Sequence, residues 1–516
     1  MKRRSFIKHA AHSLAIPSFL GALNNKSFGQ TIDRFLNLAN ETDRVLVLIY
    51  LEGGNDGLNT VIPLSYLSEL NKVRPHVVLP ENKLLTLDSE DYALHPSLTG
   101  FKSLYEEGRL QVLHSVGYPQ QSFSHFKSTD IWMSGSNSDE LVPSGWTGRY
   151  LETNHPQFPE EYPNPDYPDP LAVEIGNGSS MLFQGERANF SMVINNPNSF
   201  YQILENAIGD TPDTIAGDKL KYIRLIAQQS QKYGMIVKKA AEKITQQKIY
   251  PDTRLGNQLR IVSRLIAGGL KTPLYLVRMG GFDTHDNQVD GGDHSKGNHA
   301  NLLKNLNDAV LAFMKDLEFQ GCADRVMGMT FSEFGRKIVS NASMGTDHGS
   351  AAPLFIFGNM SHGGSRGTAP VITGNEVYRD NIPFQTDFRQ VYTSLLSQWF
   401  DAGNTSIQTA TRGNFDQIPV VKNAIVTSIE REEPSTLKLF PNPVRDFATV
   451  KLDVLSGKVR IDLIDVKGSS IGMLFEGNTS ERQFTQIIDL SRYPAGKYIL
   501  RVMDGNRRYT LHVIKL

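Results

Sequence analysis

The feature that most constrains the fold is a series of short, continuous apolar runs, several of which end in glycine-containing loops. The first run spans residues 44–51 and is followed by Gly53-Gly-Asn-Asp-Gly57. Such runs are typical of strands that are buried on both faces of a parallel sheet. Further runs of this kind lie at Leu110–Val116, Leu171–Ile175, Leu274–Met279, Arg325–Phe331 and Pro353–Phe357.

Helical patterns lie between these runs. Tyr222–Gln247 is long and amphipathic, Gln258–Ala267 predicts a shorter helix, and apolar residues from His299 to Leu317 recur at three- and four-residue steps. Strands that alternate with helices predict an α/β fold with a mostly parallel sheet flanked by helices. We place this domain at residues 40–425.

Residues 436–516 differ from the rest of the chain in charge and in sequence pattern. They carry 13 Lys and Arg against 8 Asp and Glu, whereas the rest of the chain carries 40 against 46. Short alternating runs with Gly or Asn between them predict a small β-sandwich that forms a separate domain. Its Leu439-Phe-Pro-Asn-Pro443 and Tyr493-Pro-Ala-Gly-Lys-Tyr498 segments resemble the C-terminal sorting domain of the type IX (Por) secretion system. The resemblance implies that the type IX machinery is a partner; a carbohydrate-binding or spacer sandwich is the alternative.

The N-terminus predicts export. A basic head that includes Arg3-Arg4 precedes a mildly apolar run from Ala10 to Leu23, and we interpret residues 1–29 as a signal peptide. The Arg3-Arg4-Ser-Phe-Ile-Lys8 segment resembles a twin-arginine signal, and an ordinary Sec signal is the alternative. No later stretch has 18 uninterrupted apolar residues, so we expect no transmembrane anchor. The protein is therefore expected to be secreted or attached to the surface of a bacterium with an outer membrane.

The amino-acid composition argues against other classes of protein. A net charge of −1 gives no electrostatic reason to bind nucleic acid, and a single cysteine excludes a disulfide framework or a Cys-rich zinc module.

Candidate metal ligands follow several of the predicted strands. Chemistry in parallel sheets gathers beyond the carboxyl ends of the strands, where Asp and His side chains are concentrated here. Asp and His ligands without cysteine suit zinc, manganese or another divalent ion, and solvated turns are the alternative. The candidate ligands are Asp56, Asp283, His285, His299, Asp347 and His348.

Two catalytic candidates lie at a predicted helix start after Leu110–Val116. Ser124 would face the positive end of the helix dipole, which favours a nucleophile near an anionic ester, and His125 would be a general acid or a supporting partner. Adjacent residues on a helix point about 100° apart, so only one of them should face the site squarely, and we expect it to be Ser124. Alternatively, Ser124 only caps the helix. Arg149 and Arg336 are further candidates that could hold an ester oxygen.

Several of these segments together resemble a bacterial family of the alkaline phosphatase/sulfatase superfamily that is usually exported by the twin-arginine route. The segments are Leu48–Pro63, His95–Trp132, Ser144–Arg149, Gly281–His299 and Phe331–Gly349. The resemblance implies one or two divalent metal ions, zinc or similar, and hydrolysis of phosphate or sulfate esters. It also implies a small anionic ester or a sulfated or phosphorylated polymer as the substrate.

The same resemblance assigns ligands. Asp347 and His348 match the Asp-His-Gly ligands of the superfamily, and Asp56 matches its early aspartate after the first strand. Asp283 and His285 resemble another ligand segment, although their spacing is tighter than in alkaline phosphatase.

Three other functions compete with this interpretation. A non-catalytic surface protein of the same fold, binding polysaccharide or a protein partner, remains the alternative. A metal-free serine hydrolase lacks support, because no Gly-x-Ser-x-Gly elbow surrounds Ser122 or Ser124. A formylglycine sulfatase is also unsupported, because neither these serines nor Cys322 lies in a Cys/Ser-x-Pro-x-Arg setting.

Overall fold

The computed structural model describes nine stretches of the chain, which fall into two compact units, Met1–Thr427 and Ser428–Leu516. The predicted signal peptide, residues 1–29, and its twin-arginine segment lie outside the described residues. The described stretches are 43–87, 91–195, 214–244, 249–422, 438–453, 457–465, 470–479, 483–504 and 507–516.

The first unit contains a nine-stranded central sheet and a small three-stranded sheet. The strands of the unit, in chain order, are β1 (Val45–Leu51), β2 (Val61–Pro63), β3 (Leu85–Thr86), β4 (Tyr92–Leu94), β5 (Leu110–Gly117), β6 (Ala172–Ile175), β7 (Ser191–Ile194), β8 (Leu274–Met279), β9 (Val326–Phe331), β10 (Ala352–Phe357), β11 (Gly364–Arg366) and β12 (Thr386–Asp387).

The central sheet is mostly parallel. Its order is β11-β5-β10-β9-β1-β8-β6-β7, with β12 also beside β5. Strand β10 runs antiparallel to both of its neighbours, whereas all the other pairs in this sheet are parallel. The predicted α/β fold is therefore confirmed, and the carboxyl ends of β1, β8 and β9 meet at one edge.

Helices of this unit cover both faces of the central sheet. They are α1 (Gly57–Thr60), α2 (Leu67–Val73), α3 (Thr99–Glu106), α4 (His125–Ser134), α5 (Trp146–Asn154), α6 (Ile215–Glu242), α7 (Arg254–Ala267), α8 (Asn298–Phe319), α9 (Phe388–Ser394) and α10 (Asn404–Thr411). Short 3₁₀ turns lie at Leu64–Tyr66, Glu81–Lys83, Met181–Phe183 and Ala323–Arg325, and a π-helical turn at Leu395–Trp399.

The two faces of β1 explain its unbroken apolar sequence. Val47 and Ile49 belong to a core cluster with residues of α7 and α8, whereas Leu46 and Leu48 belong to a second cluster with residues of α4 and α9. Successive side chains of a strand point to opposite faces, so a strand covered on both sides needs apolar residues throughout. In the described part of the chain, no helix has both the length and the apolar character needed to cross a bilayer.

The second unit is built from antiparallel strands in two sheets, ordered β13-β14-β17 and β16-β15-β18-β19. Val450 of the first sheet and Ile461 and Val502 of the second are fully buried in one apolar core, as in a β-sandwich. The strands are β13 (Lys438–Phe440), β14 (Phe447–Asp453), β15 (Gly457–Asp465), β16 (Ser470–Thr479), β17 (Gln483–Asp489), β18 (Gly496–Asp504) and β19 (Arg507–Lys515).

Candidate metal centre

Three imidazole rings face one carboxylate at the carboxyl edge of the central sheet. Asp283 follows β8, and its Oδ2 lies 3.4 Å from Nε2 of His125, the first residue of α4. Its Oδ1 lies 3.2 Å from Nε2 of His285 and 3.2 Å from Nε2 of His348. We call these four residues the histidine–aspartate cluster. His125, Asp283 and His348 are near enough to one another to hold a single cation.

The far nitrogen of each ring is anchored to an oxygen. Nδ1 of His125 lies 2.8 Å from Oε1 of Glu333, and Nδ1 of His285 lies 2.7 Å from Oδ1 of Asp347. Nδ1 of His348 lies 2.7 Å from the backbone carbonyl oxygen of Phe123. A carbonyl oxygen or an ionised carboxylate only accepts hydrogen bonds, so each Nδ1 carries a proton and each ring directs its Nε2 inward.

This arrangement fits a bound cation. Nε2 of His285 and Nε2 of His348 lie only 2.9 Å apart. Two lone pairs at that distance repel each other unless a proton or a cation lies between them. Histidines that bind metals in proteins usually donate their other ring N–H to a carboxylate or a carbonyl, as all three do here.

The loop after β1 supports the cluster through its backbone. The N–H of Gly53 donates to both carboxylate oxygens of Glu333, at 2.9 and 3.2 Å, and so orients the anchor of His125. Gly53 has a φ of +122°, and a Cβ added there would lie 2.3 Å from the backbone nitrogen of Asp283. Only glycine therefore lets the loops after β1 and β8 approach this closely.

Arg336 links the loops and is not available to a ligand. Its buried guanidinium donates to Oδ1 of Asp283 at 2.7 Å and to the carbonyls of Gly53, Gly54, Phe282 and Thr346. Partial burial raises the pKa of Asp283, but the hydrogen bond and the charge of Arg336, together with His348 and His285, lower it overall. Asp283 is thus held as a carboxylate.

Arg149 has a similar structural role. Its guanidinium donates to the backbone carbonyls of Ser134, Ser144, Thr409 and Ala410. The idea that Arg149 or Arg336 holds an ester oxygen is therefore not supported, because both buried guanidinium groups donate to oxygens of the protein itself, which include Oγ of Ser144 and Oδ1 of Asp283.

Asp56 and His299 lie apart from the histidine–aspartate cluster, in a group that we call the buried ion-pair cluster. Asp56 forms a buried salt bridge with Arg74 and accepts a hydrogen bond from Gln288 at 2.6 Å. Burial raises the pKa of Asp56, but the charge of Arg74 and these contacts lower it overall. His299 directs Nε2 to Oδ1 of Asn55 at 3.0 Å.

The buried ion-pair cluster retains unsatisfied polar atoms. Among the described residues, the buried Oδ1 of Asp56, Nδ1 of His299, and Nε and Nη1 of Arg74 lack hydrogen-bond partners. Buried polar atoms without protein partners are commonly satisfied by internal water. Burial lowers the pKa of His299 to about 4, so this imidazole is neutral at physiological pH. The positive charge beside Asp56 comes from Arg74.

Of the two neighbours at the start of α4, His125 faces the cluster. Ser124 is the exposed N-cap residue, and its hydroxyl makes no capping hydrogen bond. The capping role considered for Ser124 is therefore absent in the structure, and the role of Ser124 as nucleophile stays a prediction.

Sequence reasoning missed two functional side chains. Glu333, which anchors His125, lies in the segment after β9, and the available signal was an acidic residue directly after a buried strand. Arg74, which neutralises Asp56, follows α2 without any distinctive motif.

Two parts of the chain match known families. Residues 89–385 match the family described as "Protein of unknown function (DUF1501)", and residues 438–516 match the secretion system C-terminal sorting domain. No curated protein matches the chain. The predicted sorting domain is thus confirmed, and it indicates export to the cell surface or beyond it.

Three of the solved structures that the chain resembles are bacterial proteins. A protein in the alkaline phosphatase superfamily from Vibrio parahaemolyticus is 10% identical, with a TM-score of 0.32 over 87% of this chain and 82% of that chain. A sulfatase from Pseudoalteromonas sp. is 10% identical, with a TM-score of 0.30 over 90% and 88%. A putative sulfatase from Bacteroides thetaiotaomicron is 8% identical, with a TM-score of 0.31 over 91% and 85%.

Proposed function

Because the chain belongs to the DUF1501 family, whose description states no activity, we propose a function from the site itself. We infer an exported, metal-dependent hydrolase of phosphate or sulfate esters. The single observation that carries this proposal is the convergence of three anchored imidazoles on one carboxylate.

The donor set favours zinc or a similar divalent ion. Neutral imidazole nitrogens with one carboxylate suit zinc, whereas calcium and magnesium prefer oxygen ligands. His125, Asp283, His285 and His348 would bind the ion, and Glu333 and Asp347 would orient two of the imidazoles from behind. A divalent ion bound there would polarise an ester oxygen and offset the charge that develops on it.

We propose that the protein binds one metal ion, at the histidine–aspartate cluster. A second ion beside Asp56 would compete with the guanidinium of Arg74, which already pairs with that carboxylate. His299 faces Asn55 through Nε2. We therefore propose that Asp56 and His299 organise the loop after β1 and do not bind metal.

Ser124 is the proposed nucleophile and His125 a ligand. The Ser124 hydroxyl is exposed and makes no capping bond, so it is available to a substrate held at the cluster. The start of α4 also favours negative charge, which would assist an anionic ester there.

The deciding experiment measures metal and turnover together. The purified protein should hold one equivalent of metal by mass spectrometry and should hydrolyse an aryl phosphate or an aryl sulfate. His285→Ala should lose both properties, whereas Ser124→Ala should lose turnover alone. The matched control is His362→Ala, because His362 is an exposed histidine outside the cluster.

Three results would reject parts of this proposal. A protein that holds no metal after zinc reconstitution would reject the metal centre. Metal that binds without turnover of either ester would favour the non-catalytic surface protein. Full turnover in Ser124→Ala would remove Ser124 as the nucleophile and leave water as the attacking group.

A further inference from the structure

A cavity lies at the amino edge of the central sheet, away from the histidine–aspartate cluster. Leu171 and Pro273 line this cavity, and they directly precede β6 and β8. Asp283, in contrast, follows the carboxyl end of β8. A strand of six residues such as β8 is about 20 Å long. The cavity is therefore separate from both clusters described above, which lie at the carboxyl edge.

The cavity has room for a small molecule. Residues of α5, of the loop before β6, of the segment before β8 and of the turn before α10 enclose a volume of about 160 Å³. An apolar cavity of about 150 Å³ binds benzene, so a ligand with one six-membered ring would fit here. Asp166, Lys271 and Gly403 in the lining are exposed, which leaves the cavity open to solvent.

Aromatic rings form much of the wall. Tyr150 and Phe400 lie with their ring centres 5.7 Å apart, and the ring of Tyr167 packs edge-on against that of His155 at 4.7 Å. Burial lowers the pKa of His155 to about 4, so this imidazole is neutral at physiological pH. The wall therefore presents aromatic faces, which attract cations.

Carboxylates outnumber cations in the lining. Asp166, Asp169 and Asp401 line the cavity with a single lysine, Lys271. Asp401 forms a salt bridge with Arg44 at 3.4 Å, and Asp169 accepts a hydrogen bond from the backbone N–H of Lys271 at 2.8 Å. Asp166 forms no salt bridge with any described residue. Its carboxylate is therefore available to a positively charged ligand.

The hydroxyl of Tyr150 adds a neutral polar group. In the described part of the chain it has no hydrogen-bond partner. Burial and the charge of Asp401 raise the pKa of this phenol, so it stays protonated. A protonated hydroxyl oxygen still accepts hydrogen bonds, and an ammonium group only donates them.

We propose that this cavity binds a small organic cation whose apolar part is about the size of one six-membered ring. The ring of the ligand packs against Tyr150, Tyr167 and Phe400, and its ammonium group pairs with Asp166. A neutral ring gains no charge attraction, and an anion is repelled by the three carboxylates. This site does not depend on the proposed hydrolase function, because it shares no residue with the metal centre.

The test is calorimetric titration of the full chain with three ligands that share one ring: benzylammonium, benzyl alcohol and benzoate. Benzylammonium should bind about tenfold more tightly than benzyl alcohol, and benzoate should not bind. Asp166→Asn should weaken binding of benzylammonium about fivefold and leave that of benzyl alcohol unchanged. Asp91→Asn is the matched control, because Asp91 is an exposed aspartate of the same unit outside the cavity.

A second variant tests the aromatic wall. Tyr167→Leu keeps an apolar side chain but removes the aromatic face, so it should weaken binding of benzylammonium more than that of benzyl alcohol. No binding of benzylammonium to the wild-type chain would overturn the site. Equal affinity for the three ligands would overturn the choice of a cation, as would equal effects of Asp166→Asn and Asp91→Asn.

Discussion

The histidine–aspartate cluster and the buried ion-pair cluster contain similar residues at the same sheet edge. They differ in how exposed their carboxylate is and in which side chains surround it. Asp283 keeps a side chain that is 47% exposed and faces three imidazoles, whereas the side chain of Asp56 is 1% exposed and faces Arg74. A buried carboxylate needs a permanent counter-charge, and a guanidinium supplies one without metal. Asp283, in contrast, is partly exposed and is surrounded by the Nε2 atoms of three imidazoles. This arrangement leaves room for an ion from solution.

The largest expected effect comes from breaking the buried ion pair. Arg74→Met should lower the free energy of unfolding by about 3 to 5 kcal/mol, because it leaves Asp56 charged, buried and without its main partner. Urea unfolding should show this loss. The double variant with Asp56→Asn should recover much of it, since no isolated charge then remains. A single variant as stable as the wild type would mean that Asp56 is not a structural carboxylate.

The second effect is a pH dependence of the free energy of unfolding, caused by His299 in the buried ion-pair cluster. The folded-state pKa of His299 is lowered by burial to about 4 from an ordinary value of 6.5, so the unfolded chain binds more protons between these values. Stability should therefore fall as the pH falls from 6.5 to 4, by about 3 kcal/mol from this group.

Comparison with a variant isolates the contribution of His299 to that pH profile. The wild-type unfolding free energy should decline more steeply over this window than that of His299→Gln, in which the amide can still donate to Asn55. His362→Gln, which changes an exposed histidine, should keep the wild-type slope. Identical slopes in all three proteins would show that His299 is not held neutral in the fold.

The third effect concerns the anchors of the histidine–aspartate cluster. Glu333→Gln should weaken zinc binding about 10- to 100-fold, because the amide accepts the His125 Nδ1 proton less strongly than the carboxylate does. Competition with a chromogenic chelator would measure the change. Glu107→Gln, which alters an exposed glutamate, is the control. Unchanged zinc affinity in Glu333→Gln would place His125 outside the metal centre.

These two clusters also mark how far sequence reasoning reaches. The alternation of apolar runs predicts the α/β fold, since a strand such as β1 must be apolar on both faces to lie between two helical layers. The glycine loops predict that Asp56, Asp283, His285, Asp347 and His348 converge at one edge, because parallel strands share their direction. The last four lie together, with Asp347 behind His285, whereas Asp56 pairs with Arg74.

The identity of a counter-charge is harder to predict. Arg74 lies 18 residues after Asp56 and approaches it only through the folding of the segment between β1 and β4. Nothing in the local sequence distinguishes a carboxylate that will meet a guanidinium from one that will meet imidazoles. Asp56 and Asp283 therefore look equivalent as ligands until the fold is known.

Removal of the second unit should have the smallest effect on the two clusters. Every residue of the two clusters lies in the unit Met1–Thr427, whereas the sorting domain spans residues 438–516. A chain that ends at Thr427 should therefore keep its zinc stoichiometry, and its unfolding free energy should change by less than about 0.5 kcal/mol. It should also fail to reach the cell surface, which fractionation of the cells would reveal. Loss of metal in the shortened chain would mean that the first unit does not form its clusters alone. The difference between the histidine–aspartate cluster and the buried ion-pair cluster would then depend on the sorting domain.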